Sequence, residues 1–270
     1  MPFFRIPRLH LVELEDLSWF PGTLRDLATD YLQFVEDRLR FHEPVIPVLT
    51  DLLARAETDR LIDLCSGGVG PWLGLERDLR GAGVPVQVTL TDKYPHLQAF
   101  QRAADASGGR IDHSVAPIDA MDVSADLSGV RTLFNSFHHF RPSAARRVLQ
   151  NAVDAKQPIA IFEIPDRTLF SLLSILLFSP LAVLFSTPLI RPFRWKRLLF
   201  TYPVPAVPFT CVWDGTVSQL RAYTTEELLE LGRSVDREGY LWASGRSRIR
   251  ETPLHMTYLT GFPRGVGTPP

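Results

Sequence analysis

Apolar runs alternate with helix-like stretches between Leu61 and Pro165, and this rhythm narrows the fold more than any other feature of the chain. The runs are Leu61–Leu64, Val84–Asp92, His113–Ala120, Val130–Phe140 and Pro158–Pro165. Helical spacing fills the gaps, from Trp72 onward, over His96–Ala106 and over Ser143–Ala155. Strand followed by helix, repeated, predicts an α/β fold with a mostly parallel sheet covered by helices on both faces. After a break, "TTEELLELGRSV" predicts a helix, with Thr224 as N-cap and Glu227 completing a capping box. "YLWASGRSRI" and "PLHMTYLTGF" then bring the strand count to seven.

The flanks divide the chain further. Leu24, Leu27, Tyr31, Phe34, Val35 and Leu39 recur at three- and four-residue spacing and predict a helical N-terminal cap over residues 1–56. The core then covers 57–166, an apolar insertion 167–216, and the completion of the sheet 217–270. "GFPRGVGTPP" at Gly261–Pro270 predicts a frayed C-terminus. The N-terminal stretch carries Arg5, Arg8, Glu13, Glu15 and Asp16, which break up the apolar run that a secretory signal needs. Charges nearly cancel, with 29 basic against 30 acidic residues, so no global field draws the chain to nucleic acid. Two cysteines, Cys65 and Cys211, form no disulfide framework or metal-spaced cluster, which suits a reducing, cytoplasmic setting.

The chemistry concentrates in "DLCSGGVG". Gly67, Gly68 and Gly70 follow the first strand, where the backbone turns sharply and passes close to a ligand that a Cβ would exclude. Asp63 lies at the end of that strand. Asp92 ends the second strand about 20 residues past the loop, where a carboxylate can accept both hydrogen bonds of a ribose diol. Together these predict a nucleoside-bearing cofactor. A dinucleotide fingerprint would need glycine where Leu73 stands, and no Tyr-x-x-x-Lys pair supports hydride transfer.

The loop, with the segments after it, resembles the class I S-adenosylmethionine-dependent methyltransferases, whose first motif reads Asp/Glu-x-Gly-x-Gly-x-Gly. Asp63 and Gly67 fall in register, while Cys65 and Val69 stand at the motif's first and third glycines. "TLTDKYP" with Asp92, "APIDAMD" with Asp119 and Ala120, and "FNSFHHF" with Asn135 follow in the family's order, the last resembling quinone-biosynthesis C-methyltransferases. The resemblance implies a Rossmann-like fold and S-adenosyl-L-methionine as cofactor. It also implies ribose on Asp92, the adenine edge at Asp119 and Ala120, and the amino-acid end near Asp63, Cys65, Gly67, Gly68 and Gly70. Asn135 joins that cofactor set. Where the acceptor needs a base, His138 and His139 are the candidates, with Glu163 behind them. Adjacent residues on an extended strand face opposite sides, so one histidine at most would meet the substrate. The pair lacks helical metal spacing and a third ligand, so no metal is expected. A cofactor-binding protein without catalysis and a nucleotide-dependent oxidoreductase remain as alternatives.

From Thr168 to Ile190 no charge occurs. About 20 apolar residues cross a bilayer core, yet a single crossing would part strands that must share one sheet. Pro180 and Pro188 are expected to leave one uninterrupted helix of about eleven residues, ~16 Å long. Arg191, Arg194, Lys196 and Arg197 follow, with Trp195 among them. Two readings stand: Thr168–Arg197 as a peripheral, monotopic contact on the cytoplasmic membrane face, or a lid over a greasy substrate with a homodimer interface. Both imply a lipophilic small-molecule acceptor. Trp19, Phe20 and Tyr31 are candidates to line such a lid, Asp214–Gly215 reads as a turn, and Arg221 is a candidate for a substrate anion.

Overall fold

The computed structural model describes residues 6–236, 238–250 and 252–265. Its contacts divide the chain into two compact units, one of residues 1–39 with 165–223 and the other of 40–164 with 224–270. That division places a boundary at Leu39, inside the residues 1–56 expected as a helical cap.

The larger unit holds a seven-stranded sheet. Its strands are β1 (Arg60–Asp63), β2 (Gln87–Leu90), β3 (Ile111–His113), β4 (Val130–Phe134), β5 (Ile159–Glu163), β6 (Tyr240–Arg248) and β7 (His255–Pro263). The order is β3-β2-β1-β4-β5-β7-β6, parallel through β5, with β7 inserted antiparallel between β5 and β6. Every residue of β5, and all but the last of β4, is buried. Since neighbours along a strand face opposite sides, both faces of the sheet are covered there. Edge strand β6 instead alternates between buried or half-buried and exposed over much of its length, as an antiparallel edge can. The helices of this unit are α2 (Ile46–Ala56), α3 (Trp72–Gly81), α4 (Leu97–Ser107), α5 (Pro142–Asp154) and α9 (Thr225–Val235). The capping box at the start of α9 is formed: the Glu227 N–H donates to Thr224 Oγ1 and the Thr224 N–H to Glu227 Oε2.

Strands β2 to β5 are each shorter than their apolar runs. β3 ends at His113, and Ser114–Ala120 is loop, where Pro117 has no N–H to give a ladder. β4 ends at Phe134, because Asn135 takes φ 47° and turns the chain out of the sheet. His138 and His139 therefore sit on a 3-10 turn, Phe137–His139, with ring centroids 4.4 Å apart. The expectation of an extended strand sending them to opposite faces fails for that reason. At the chain end, β7 runs in register through Pro263 and residues 266–270 lie outside the described set, as do 1–5.

The smaller unit contains α1 (Gly22–Arg38), α6 (Leu169–Ser186), α7 (Trp195–Thr201) and α8 (Ala206–Arg221). Its core joins Leu27, Ala28 and Tyr31 of α1 to Val183, Ile190, Val207 and Cys211. Phe20 and Tyr31 are thus packing residues, while Trp19 is exposed. Pro180 does not stop α6, which is 18 residues long and runs on past it to Ser186. Asp214 and Gly215 lie inside α8 rather than in a turn. Asp214 accepts hydrogen bonds from the Leu14 and Glu15 amides, at 2.6 and 3.2 Å, and so ties down the N-terminal segment. Gly215 lets α8 pack closely on α6, since a Cβ there would lie 3.3 Å from Cγ2 of Ile175. Arg221 is buried and spent on structure: it donates to the Leu11 carbonyl and pairs with Glu13 and Asp16.

Candidate active site

The candidate residues gather at the carboxyl ends of the parallel strands, around the point where strand order reverses between β1 and β4. Open α/β sheets bind ligands in the crevice formed there. Asp63 ends β1 and is 2% exposed. Its Oδ2 accepts from Ser66 Oγ at 2.6 Å, and its Oδ1 from Thr132 Oγ1 at 2.7 Å across the β1–β4 pair. Burial pushes this carboxyl up to about 7, with the charge of Asp92 adding to the rise and the two hydroxyl donors opposing it.

Beyond Asp63 the loop climbs through left-handed conformations. φ is 59° at Cys65, 50° at Gly67, 95° at Val69 and 56° at Gly70. The glycine-type backbone is thus kept at all three motif positions although two carry side chains, at a cost of about 1–2 kcal/mol for each L-residue so placed. At Gly67 and Gly70 no atom lies within 4 Å of where a Cβ would stand, so the glycines border open space. Cys65 and Val69 hold the same turns at the expense of strain, and Val69 buries its side chain in exchange.

Asp92 follows β2 and closes the loop from the side. Its Oδ2 accepts from the Gly67 amide at 2.8 Å, its Oδ1 from the Tyr94 amide at 2.7 Å. Asp119 accepts from Lys93 Nζ at 2.9 Å and from the Met121 amide at 2.9 Å, and the hydrogen bond from Lys93, helped by that from Met121, holds its carboxyl below the usual range. Ala120 beside it is buried. Asn135 turns its side chain back to the sheet, where Oδ1 accepts from the Ile164 amide at 2.9 Å. Its role here is to hold the β4 and β5 ends together.

Glu163, the last residue of β5, reaches into the 3-10 turn. Oε1 accepts from the Phe137 amide at 2.7 Å, and Oε2 lies 2.5 Å from Nδ1 of His138. Both side chains are buried. An ionised carboxylate only accepts, so in such a pair Nδ1 of His138 is the donor. His139 is half-buried beside it.

Sequence reasoning missed Ser66, Thr132 and Lys93. Thr132 was findable, because it stands directly opposite Asp63 once β1 and β4 are paired, whereas Ser66 and Lys93 act through a turn and a loop that carry no periodic signal.

The fold has counterparts among solved structures. The S-adenosylmethionine-dependent methyltransferase SibL, in its apo form, is similar with a TM-score of 0.50 at 13% identity, over 96% of this chain and 66% of that one. The chain thus shares its fold with that methyltransferase structure. An O-methyltransferase family protein from Burkholderia thailandensis gives 0.46 at 16% identity, over 85% and 58% of the two chains. LepI in complex with SAM gives 0.44 at 18%, over 76% and 43%. This chain therefore spans less than two thirds of the length of each of these proteins. No protein-family profile matches the sequence, and no curated protein matches it. The likeness is thus one of fold.

Proposed function

We propose that this protein is an S-adenosylmethionine-dependent methyltransferase acting on a hydrophobic small molecule or lipid, in a reducing, cytoplasmic setting. The observation that carries the proposal is the loop after β1. It keeps positive φ at Cys65, Gly67 and Val69, ends against Asp92, and borders open space at its glycines. A backbone that pays strain to keep this shape without its glycines is shaped for a ligand.

In this reading Asp92 takes the ribose hydroxyls, and Asp119 with Ala120 borders the adenine. The Asp63 carboxylate, beneath the loop, favours a positively charged amino group. When bound, S-adenosylmethionine supplies an activated methyl group on a sulfonium. The protein's share is to align an acceptor atom and exclude water, which can contribute ~7–11 kcal/mol through positioning. His138 would take the acceptor's proton at Nε2 while Glu163 holds the ring and stabilises the imidazolium. The apolar surface of Thr168–Arg197 supports a lipophilic acceptor.

Calorimetry with S-adenosylmethionine, followed by turnover of the labelled methyl group on a membrane-lipid extract, tests this. Cofactor binding together with a methylated lipid product is expected. Binding without product would favour a cofactor-binding protein, and selective binding of a nicotinamide dinucleotide would overturn the proposal.

A further inference from the structure

Helix α6 is turned inside out. The residues it buries are Ser171, Val183 and Ser186, whereas the arc it exposes holds leucine and phenylalanine. Phe178 is 64% exposed and Phe185 76%. At 100° per residue the exposed positions cover roughly 200° of the helix circumference. A helix on a water-facing surface carries its polar residues on such an arc. The apolar surface continues past α6, through Leu189, Phe193 and Trp195, and onto Phe209 of α8.

The surface has a consistent electrical sign. No acidic residue stands between Arg167 and Asp214, while Arg191, Arg194, Lys196 and Arg197 cluster beside Trp195. The four cations are not equivalent. Arg197 is buried, donating to the Ile190 and Pro192 carbonyls and to Asp30, and Arg194 shares the same carboxylate at 3.1 Å. Arg191 and Lys196 are exposed and face outward beside Phe193 and Trp195.

We propose that this face docks the protein on one leaflet of an anionic bilayer, with α6 lying in the interface and Arg191 and Lys196 at the headgroups. Apolar burial supplies the attraction and the two cations select anionic lipid, each strengthening binding about fivefold. Crossing is unnecessary: β5 and β7, which flank this insertion in the chain, pair from Ile159–Gly261 to Glu163–Thr257, so the chain returns to the side it left. A second copy is the rival occupant. It would have to bury this cationic surface against another with no acidic residue in the segment to meet it. The inference stands apart from the methyl-transfer reading, because docking can be read without cofactor or turnover.

The test is co-sedimentation of the full chain with mixed phosphatidylcholine–phosphatidylglycerol vesicles and with pure phosphatidylcholine vesicles, at low and high salt. The chain is expected to pellet with the mixed vesicles, more weakly at high salt or with phosphatidylcholine alone. Leu177→Ser with Phe178→Ser, both at exposed positions, should abolish pelleting with the circular dichroism spectrum unchanged. Arg191→Gln with Lys196→Gln should weaken binding to the mixed vesicles about 25-fold while leaving the phosphatidylcholine baseline alone. A wild-type chain that stays in the supernatant with both vesicles overturns the proposal. So does a Leu177→Ser, Phe178→Ser chain that pellets like wild type. A stable dimer in light scattering that this double variant splits, without vesicle binding by the wild type, would give the face to a second copy.

Discussion

The His138 ring is held by Glu163, whose Oε2 lies 2.5 Å from Nδ1 while its other oxygen accepts from the Phe137 amide. One carboxylate at the end of β5 thereby sets both the turn and the tautomer of its histidine. Glu163→Gln keeps the size but can present an N–H donor where Nδ1–H needs an acceptor, which favours the other tautomer or a rotated ring. If His138 is the base, kcat should fall about 10²-fold with KM for the acceptor little changed, and the acid limb of the pH profile should move. His138→Ala should lose a similar factor, and the double variant little more, since the two act as one unit. A Glu163→Gln enzyme with wild-type kcat and pH profile would confine the pair to a structural role.

The left-handed loop makes opposite predictions for neighbouring positions. Cys65→Gly relieves a strained φ of 59° and should stabilise the fold by about 0.5–1 kcal/mol, after allowing for the greater freedom of glycine in the unfolded chain. Val69→Gly relieves φ 95° but forfeits a buried side chain worth about 1.5–3 kcal/mol, so it should be neutral or destabilising. Gly67→Ala has open space for its methyl and should lose about 1 kcal/mol from conformation alone, with a larger relative loss in cofactor affinity. Urea unfolding of the three variants checks the signs, and calorimetry of Gly67→Ala checks the affinity.

How far these features could be read in advance depended on whether a local pattern carries them. The parallel strands showed because both-face burial writes continuous apolar runs such as "IAIFE", and α9 showed because Thr224 and Glu227 stand three apart. Asp63 was legible from its place at the end of β1, and Asp92 from its place after β2. The histidine turn was not, because "VRTLFNSFHHF" has no glycine or proline to mark the strand's end, and only the left-handed φ at Asn135 ends it. Asp214–Gly215 reads as a turn by composition. Packing overrides that: Asp214 binds the Leu14 and Glu15 amides, and Gly215 admits Ile175. Pro180 was expected to end a helix, and it costs about 3 kcal/mol inside one. Contacts between α6 and α8 outweigh that cost, and no local rule contains them.

Asp63 should impose a pH dependence on stability. Its carboxyl is raised from 3.8 to about 7 in the fold, so the folded state holds the proton more tightly than the unfolded chain. The stability this confers is fully present below pH of about 4 and is lost as pH rises toward about 7. Asp63→Asn removes the titration while Ser66 and Thr132 hydroxyls rotate to meet the amide. Unfolding free energy should fall across that window in wild type and fall less in the variant. Cofactor affinity should run the other way, improving as Asp63 ionises, and the variant should bind weakly at every pH. Parallel stability curves for the two proteins would show that Asp63 does not titrate in this range.

The basic cluster at 191–197 should separate into structural and surface residues. Arg197 is 2% exposed and anchors the Ile190 and Pro192 carbonyls together with Asp30. Arg197→Met removes the donors from two carbonyls and a carboxylate at once. Arg194 remains to meet Asp30, so the loss should lie at the low end for a broken buried pair, about 3 kcal/mol. Arg191→Gln and Lys196→Gln alter exposed side chains and should each change stability by less than about 0.5 kcal/mol. Thermal or urea unfolding of the three single variants measures the difference. An Arg197→Met protein as stable as the other two would mean that the buried network around Asp30 does not hold the loop between α6 and α7.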